Sequence, residues 1–375
     1  MIDFRYHLVS IVAVFLALAI GIVLGSTELQ GTAYNILNST TAKLQSELDQ
    51  ASSQRDAAQT QASVGDAYAQ AVEPVVLHNL LAGQRLLIIT EPGAPASVVA
   101  AISNAATAYA GATVTGQIAL QNKFFDNSDT TLDGLNQINL AMAQTAGIAL
   151  GSGETYQQQA AQLIASEILT KAPGSPAVQS ASAQPTSSQP AGTQPTSTPS
   201  ASSQSAGSQP SSGQQDTDVQ SMLAAYAQAG FLTTSGQPAT QATLAVVVTP
   251  QTAPADGSAD QIDQLLVPLA EELGAHASAA VVAGTSAGSG AGSPIAVLRS
   301  SNAADLVSTV DDADFVSGQS VVIQALAAQL NGGKPGSYGI AANGASAVAP
   351  SPAPMPSVSA SPSATSSTAS KKAKK

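Results

Sequence analysis

The stretch Arg85-Leu86-Leu87-Ile88-Ile89-Thr90, halted by Glu91-Pro92-Gly93 and followed by Val98, Ile102, Ala105 and Tyr109 at helical spacing, decides the fold. A continuous apolar run that stops at a turn signal reads as a strand buried on both faces, and a helix directly after it opens a parallel βα unit. The pattern repeats downstream. Ala112 to Leu120 is a second strand with imperfect alternation, and helices are expected near Leu132–Ala146 and Glu154–Lys171. In the latter, Tyr156, Ala160, Leu163 and Ile164 make one stripe.

Residues 173–216 lose all periodicity: seven prolines sit among Ser, Thr and Gln, with Gln-Pro recurring from 184, 189 and 194. Such a segment has too little apolar surface to offset the entropy of ordering, and reads as a disordered linker. Helical spacing resumes with Val219, Met222, Leu223 and Tyr226, and Leu244–Thr249 (LAVVVT) is a strand. Ser258-Ala259-Asp260-Gln261 fits a capping box opening a helix with Ile262, Leu265, Leu266, Leu269 and Leu273 on one face, in which Pro268 predicts a kink or an early break. Ala277–Ala283 is a further strand, Asp305–Val310 another candidate, and Val322, Leu326 and Leu330 mark a last helix ending at Asn331-Gly332-Gly333. The fold class is therefore α/β: a doubly wound, mostly parallel sheet domain interrupted by a long disordered insertion, which costs little because loop closure rises only logarithmically with length. Two small α/β lobes joined by the linker are the alternative. From Ala345 the chain is again Ser, Pro and Ala, ending in four lysines among its last five residues. That basic end is either a solvated terminus or a contact for anionic envelope polymer or lipid.

Upstream of the first strand lies Leu8–Leu24, an uncharged run just long enough to cross a bilayer. Ala17-Leu18-Ala19 falls inside this run instead of after it, which favours a retained anchor over a cleaved signal peptide. Arg5 on the short side and Glu28 on the far side place the bulk of the chain outside the cytoplasm. Gly21 and Gly25 form a GxxxG pair that would let two helices approach closely, although small residues are common in any such segment. Leu37, Leu44 and Leu48, with Thr41, Ala51 and Arg55, follow a heptad seam that weakens toward Gly65. A dimeric stalk and an amphipathic helix lying on the body are equally compatible with it. The expected organisation is anchor 1–26, helical stalk 27–82, first part of the domain 83–172, linker 173–216, second part 217–344, and tail 345–375.

The chain has 375 residues, no Cys, no Trp, and 12 basic against 24 acidic side chains. No disulfide scaffold, cysteine metal site or redox dithiol is available, and the acidic balance excludes most modes of nucleic-acid binding. No catalytic constellation emerges: His7 precedes the apolar run, and neither His78 nor His276 lies in a hydrolase motif. Gly284–Gly292 follows a strand but lacks the P-loop Gly-Lys-Ser/Thr and the dinucleotide spacing, so it reads as a flexible loop. Asp311, Asp312 and Asp314 are the densest acidic cluster; without EF-hand spacing they read as a solvated turn capping the next helix. Met1, Met142, Met222 and Met355 and the three histidines are scattered without ligand spacing. No enzyme activity and no cofactor are expected, and no copper ligand can be assigned.

The opening Met1-Ile2-Asp3-Phe4-Arg5-Tyr6-His7-Leu8-Val9-Ser10, continuing AVFLALAIGIVLGS from Ala13 to Ser26, resembles the actinobacterial copper transport outer membrane protein family, MctB. Ser308-Thr309-Val310-Asp311-Asp312-Ala313-Asp314, an apolar helix and Gly336-Ser337-Tyr338-Gly339 are similar to that family's other recurrent block. The resemblance implies a membrane-anchored envelope protein of copper efflux or homeostasis, described as pore-forming, with copper as transported ion. One helix cannot line a channel, and short apolar strands separated by helices do not make a membrane barrel, so a pore requires a homo-oligomer. Expected partners are the membrane, further copies of the chain and cell-wall or envelope components. The competing reading is a non-enzymatic envelope scaffold without a metal role.

Overall fold

The computed structural model describes residues 4–171, 212–251, 259–290, 292–340 and 345–351. Two compact units divide the chain, Met1–Tyr68 and Ala69–Lys375. The first is a single helical stretch, most of α1 (Phe4–Val76). Arg5–Gly25 within it is 21 residues long and apolar enough to cross a membrane. At about 1.5 Å per residue it matches a hydrocarbon core of about 30 Å.

The second unit contains, in chain order, β1 (Arg85–Thr90), α2 (Ala96–Asn104, prolonged by a wider turn through Tyr109), β2 (Thr113–Leu120), α3 (Asp129–Ala146), α4 (Tyr156–Ile168) and α5 (Ser212–Gln228). Then come β3 (Leu232–Gly236), β4 (Leu244–Val248), α6 (Ala259–His276), β5 (Ala279–Ala283), α7 (Pro294–Arg299), β6 (Ser308–Val310), α8 (Val316–Leu330) and β7 (Ser337–Tyr338). Among the described residues seven strands form one open sheet in the order β3-β2-β1-β4-β5-β6-β7. Every neighbouring pair is parallel except β2–β3.

This is the doubly wound sheet that alternating strand and helix signals demand, and it is one sheet, not two lobes. β1 from before residues 173–211 pairs along its length with β4 from after them, Leu86 opposite Leu244 and Thr90 opposite Val248. The central strands are continuous apolar runs because both faces are covered. Leu87, Ile89, Ala245, Val247, Ala280 and Val282 point into a core shared with α3, α4, α5, α6 and α7. Leu86, Ile88, Leu244, Val246 and Val281 point the other way, toward α2, α8 and the buried Leu77 and Leu81 that follow α1.

On the first face a buried polar chain ties three helices together. Tyr226 of α5 donates its hydroxyl to Asn139 Oδ1 of α3 at 2.7 Å, and Asn139 Nδ2 donates to the Tyr156 carbonyl of α4 at 2.7 Å. Burial pushes the Tyr226 phenol well above its ordinary range, so it stays a donor. α4 itself opens on a capping box, the Gln158 amide donating to Thr155 Oγ1 and the Thr155 amide to Gln158 Oε1.

Three details depart from sequence expectation. α6 continues through Pro268 to His276 instead of breaking there, because Leu269, Ala270 and Leu273 beyond the proline are buried against the sheet. α5 begins at Ser212, inside the segment read as linker. β3 carries no apolar run, since only Leu232 of its five residues is buried; it is an antiparallel edge strand. It fits because Gly116 of β2 leaves room: a Cβ there would lie 2.6 Å from the Ser235 carbonyl oxygen. Residues 173–211 of the linker, Ser258 of the expected capping box, Ala291 of the glycine-rich loop, and the C-terminal lysines lie outside the described residues.

Candidate functional site

In an open parallel sheet ligands favour the crevice where the crossovers diverge. Here the chain leaves β1 toward β2 on one side and β4 toward β5 on the other, so that crevice lies between Thr90-Glu91 and Thr249-Pro250. It is bridged by the chain itself. The Glu91 amide donates to the Val248 carbonyl at 3.0 Å, and a Cβ on Gly93 would sit 3.4 Å from the Pro250 side chain. Polar residues nonetheless collect along this edge of the sheet: Glu91, Thr249, Thr285, Asp311 and Asp312 are all buried at the C-terminal ends of successive parallel strands.

The acidic cluster is not the solvated turn its sequence suggests. Asp311 is fully buried and its Oδ2 accepts from Arg299 Nη1 at 2.6 Å, with the two side chains 0% and 4% exposed. The guanidinium also donates to Thr309 Oγ1 at 2.9 Å and to the Tyr338 carbonyl at 2.7 Å, while Asp311 Oδ1 accepts the Ile340 amide at 2.9 Å. One buried ion pair thus ties α7, β6 and β7 together. Gly339 is required beside it: its φ is 128°, and a side chain would collide with the Asp311 carboxylate.

Asp314 takes a different task, accepting the Ser286 amide at 2.7 Å and the Ser286 hydroxyl at 2.5 Å. With Gly288 N–H donating to Thr285 Oγ1, this pins residues 284–288 into a short helical turn where the sequence suggests a flexible loop. Asp312 lies between these two. Burial, reinforced by the Asp311 charge, pushes its carboxyl up to about 6.

His78 is exposed ahead of β1 and His276 ends α6 ahead of β5, within 3.5 Å of Glu272. Both thus precede parallel strands, at the end of the sheet opposite the carboxylates. Among the described residues no group of three or more His, Asp or Glu is placed to hold a metal. In the first unit Gly21 and Gly25 have open space around them, and Leu37, Leu44 and Leu48 are 65%, 55% and 70% exposed.

Two cavities lie among the described residues of the α/β unit. One of about 420 Å³ lies between α2 and the β1–β2–β3 edge, lined by Ile88, Thr90, Val99, Ser103, Gly116 and Ser235 among others, all uncharged. The other, of about 130 Å³, lies among α3, α4 and α5, and its wall includes Met142, Met222, Glu167 and Asp218. The sequence shows no spacing between those methionines because one precedes and the other follows residues 173–211.

A family model described as "Copper transport outer membrane protein, MctB" matches residues 1–350. The protein named Copper transporter MctB of Mycobacterium tuberculosis (strain ATCC 25618 / H37Rv) is 30% identical over 345 residues, covering 90% of this chain and 96% of its own length. That of Mycobacterium leprae (strain TN) is 26% identical over 356 residues, 93% of this chain and 100% of its own.

Proposed function

The chain belongs to the copper transport outer membrane protein family, MctB, and from that membership we propose that it is a membrane-anchored envelope protein contributing to copper efflux. The observation that carries the reading is the pairing of family similarity over residues 1–350 with the apolar span Arg5–Gly25. In this reading the span is a retained single-pass anchor, with the α/β unit on the extracytoplasmic side. An open sheet covered on both faces offers no channel of its own. The proposed conduit is therefore an oligomer of anchor helices, packed through Gly21 and Gly25 and continued by the exposed seam Leu37, Leu44 and Leu48.

Total cell copper in a deletion strain and its complemented partner, with zinc and manganese as controls, tests the function. Copper is expected to rise on deletion and return on complementation while the other metals stay level. Unchanged copper would end the efflux reading. The oligomer is tested separately. Because the chain has no native Cys, Leu44→Cys and Leu48→Cys are each expected to form disulfide-linked dimers in membranes, and recovery of monomer alone would remove the seam.

A second reading, a scaffold of the envelope, draws on the way Asp311 is tied to Arg299 in the interior and Asp314 to Ser286 at the surface. Loss of envelope integrity on deletion, with cell copper unaltered, would favour it.

A further inference from the structure

We propose that Met142, Met222, Glu167 and Asp218 form a binding site for one cuprous ion; the inference rests on the copper reading above and deepens it by naming where the chain holds that ion. Met1 and Met355 lie outside the described residues, so both methionines that are described meet at this one cavity. They arrive from α3 and α5, and Glu167 comes from α4, so three helices converge on a space of about 130 Å³. The space opens to solvent beside Thr145 and Ala146, so an ion held there would keep water next to its protein ligands.

The two thioethers have the chemistry that Cu(I) selects. Thioether sulfur is a soft ligand that favours Cu(I) over the hard cations taken by oxygen-only sites. Thioethers carry no charge, and here two carboxylates supply it. Glu167 of α4 and Asp218 of α5 face the same space, and a cation held between them would offset the charge each places on the other. Met222 also packs in the apolar core and Met142 against it, and methionines alone would serve as gap fillers. Two acidic side chains on the same wall are what a gap filler does not call for.

The test is an anaerobic titration of the full-length, detergent-solubilised chain with Cu(I) against a chromophoric Cu(I) chelator. Wild type is expected to retain one equivalent. The Met142→Leu/Met222→Leu variant, close to volume-conserving, is expected to lose at least about tenfold in affinity with its thermal midpoint little changed. Glu167→Gln/Asp218→Asn is expected to weaken binding while keeping sulfur scattering in the X-ray absorption spectrum of the bound copper. Equal binding by wild type and the methionine variant, or no Cu(I) retained by wild type, would overturn the site. The deletion strain separates the two readings. Raised cell copper with no Cu(I) at this cavity removes the site and leaves efflux, whereas Cu(I) bound through the methionines with cell copper unaffected by deletion keeps the site and removes efflux.

Discussion

Arg299→Leu is expected to destabilise the α/β unit by about 3–5 kcal/mol. The cost comes less from the lost attraction than from what is left behind. Asp311 is 0% exposed and would be left buried without its counter-ion, while Thr309 Oγ1 and the Tyr338 carbonyl would lose their guanidinium donors. Because these bonds join α7, β6 and β7, the effect should be read as a cooperative shift in the urea midpoint of the full-length chain. The double variant Arg299→Leu/Asp311→Leu is expected to recover part of the loss, since a buried ion pair replaced by apolar groups is often near neutral. Full recovery is not expected, because Asp311 Oδ1 also accepts the Ile340 amide. A single-variant cost below about 1 kcal/mol would mean that the pair behaves as a surface salt bridge and holds nothing together.

Asp312→Asn is expected to stabilise the same region at neutral pH. The carboxyl titrates at about 6 in the folded chain against an ordinary 3.8, raised first by burial and then by the Asp311 charge. The folded state therefore holds its proton more tightly than the unfolded one. Wild-type stability should fall as pH rises from about 4 through about 6, where the native side chain must ionise in place. Asparagine is neutral throughout, so the difference between the two stability curves should open across that window and level off above it, at roughly 1–3 kcal/mol in favour of the variant. Glu73 and Glu167 are also raised by burial and give both proteins a shared slope; the difference between the curves isolates Asp312. A gap that does not change between pH 4 and 7 would show that Asp312 is solvated.

These two residues also mark how far the chemistry of the site could be read from the chain. The run Ser308–Asp314 is legible as an acidic block after a strand candidate, and acidic blocks ordinarily face water. What reverses that reading is Arg299, twelve residues upstream on a six-residue helix that no periodicity reveals. A local signal for that helix exists in Ser293-Pro294, a capping serine followed by proline at the first helical position. The Met142–Met222 meeting had no such signal, since only the docking of α5 beside α3 and α4 creates it.

By itself the sequence determined the apolar span at the start, the absence of cysteine chemistry and the positions of the core strands. It also determined that helices alternate with them, because burial on both faces leaves an unbroken apolar run, and a half-buried helix leaves a stripe, whatever the rest of the chain does. Only the tertiary structure decided that the strands on either side of residues 173–211 form one sheet, that an edge strand without apolar character closes it, and that Asp311 is buried while Asp314 ties down a turn. Those outcomes depend on partners distant in sequence, and the energy of a buried charge or an edge strand belongs to the pair and not to either residue.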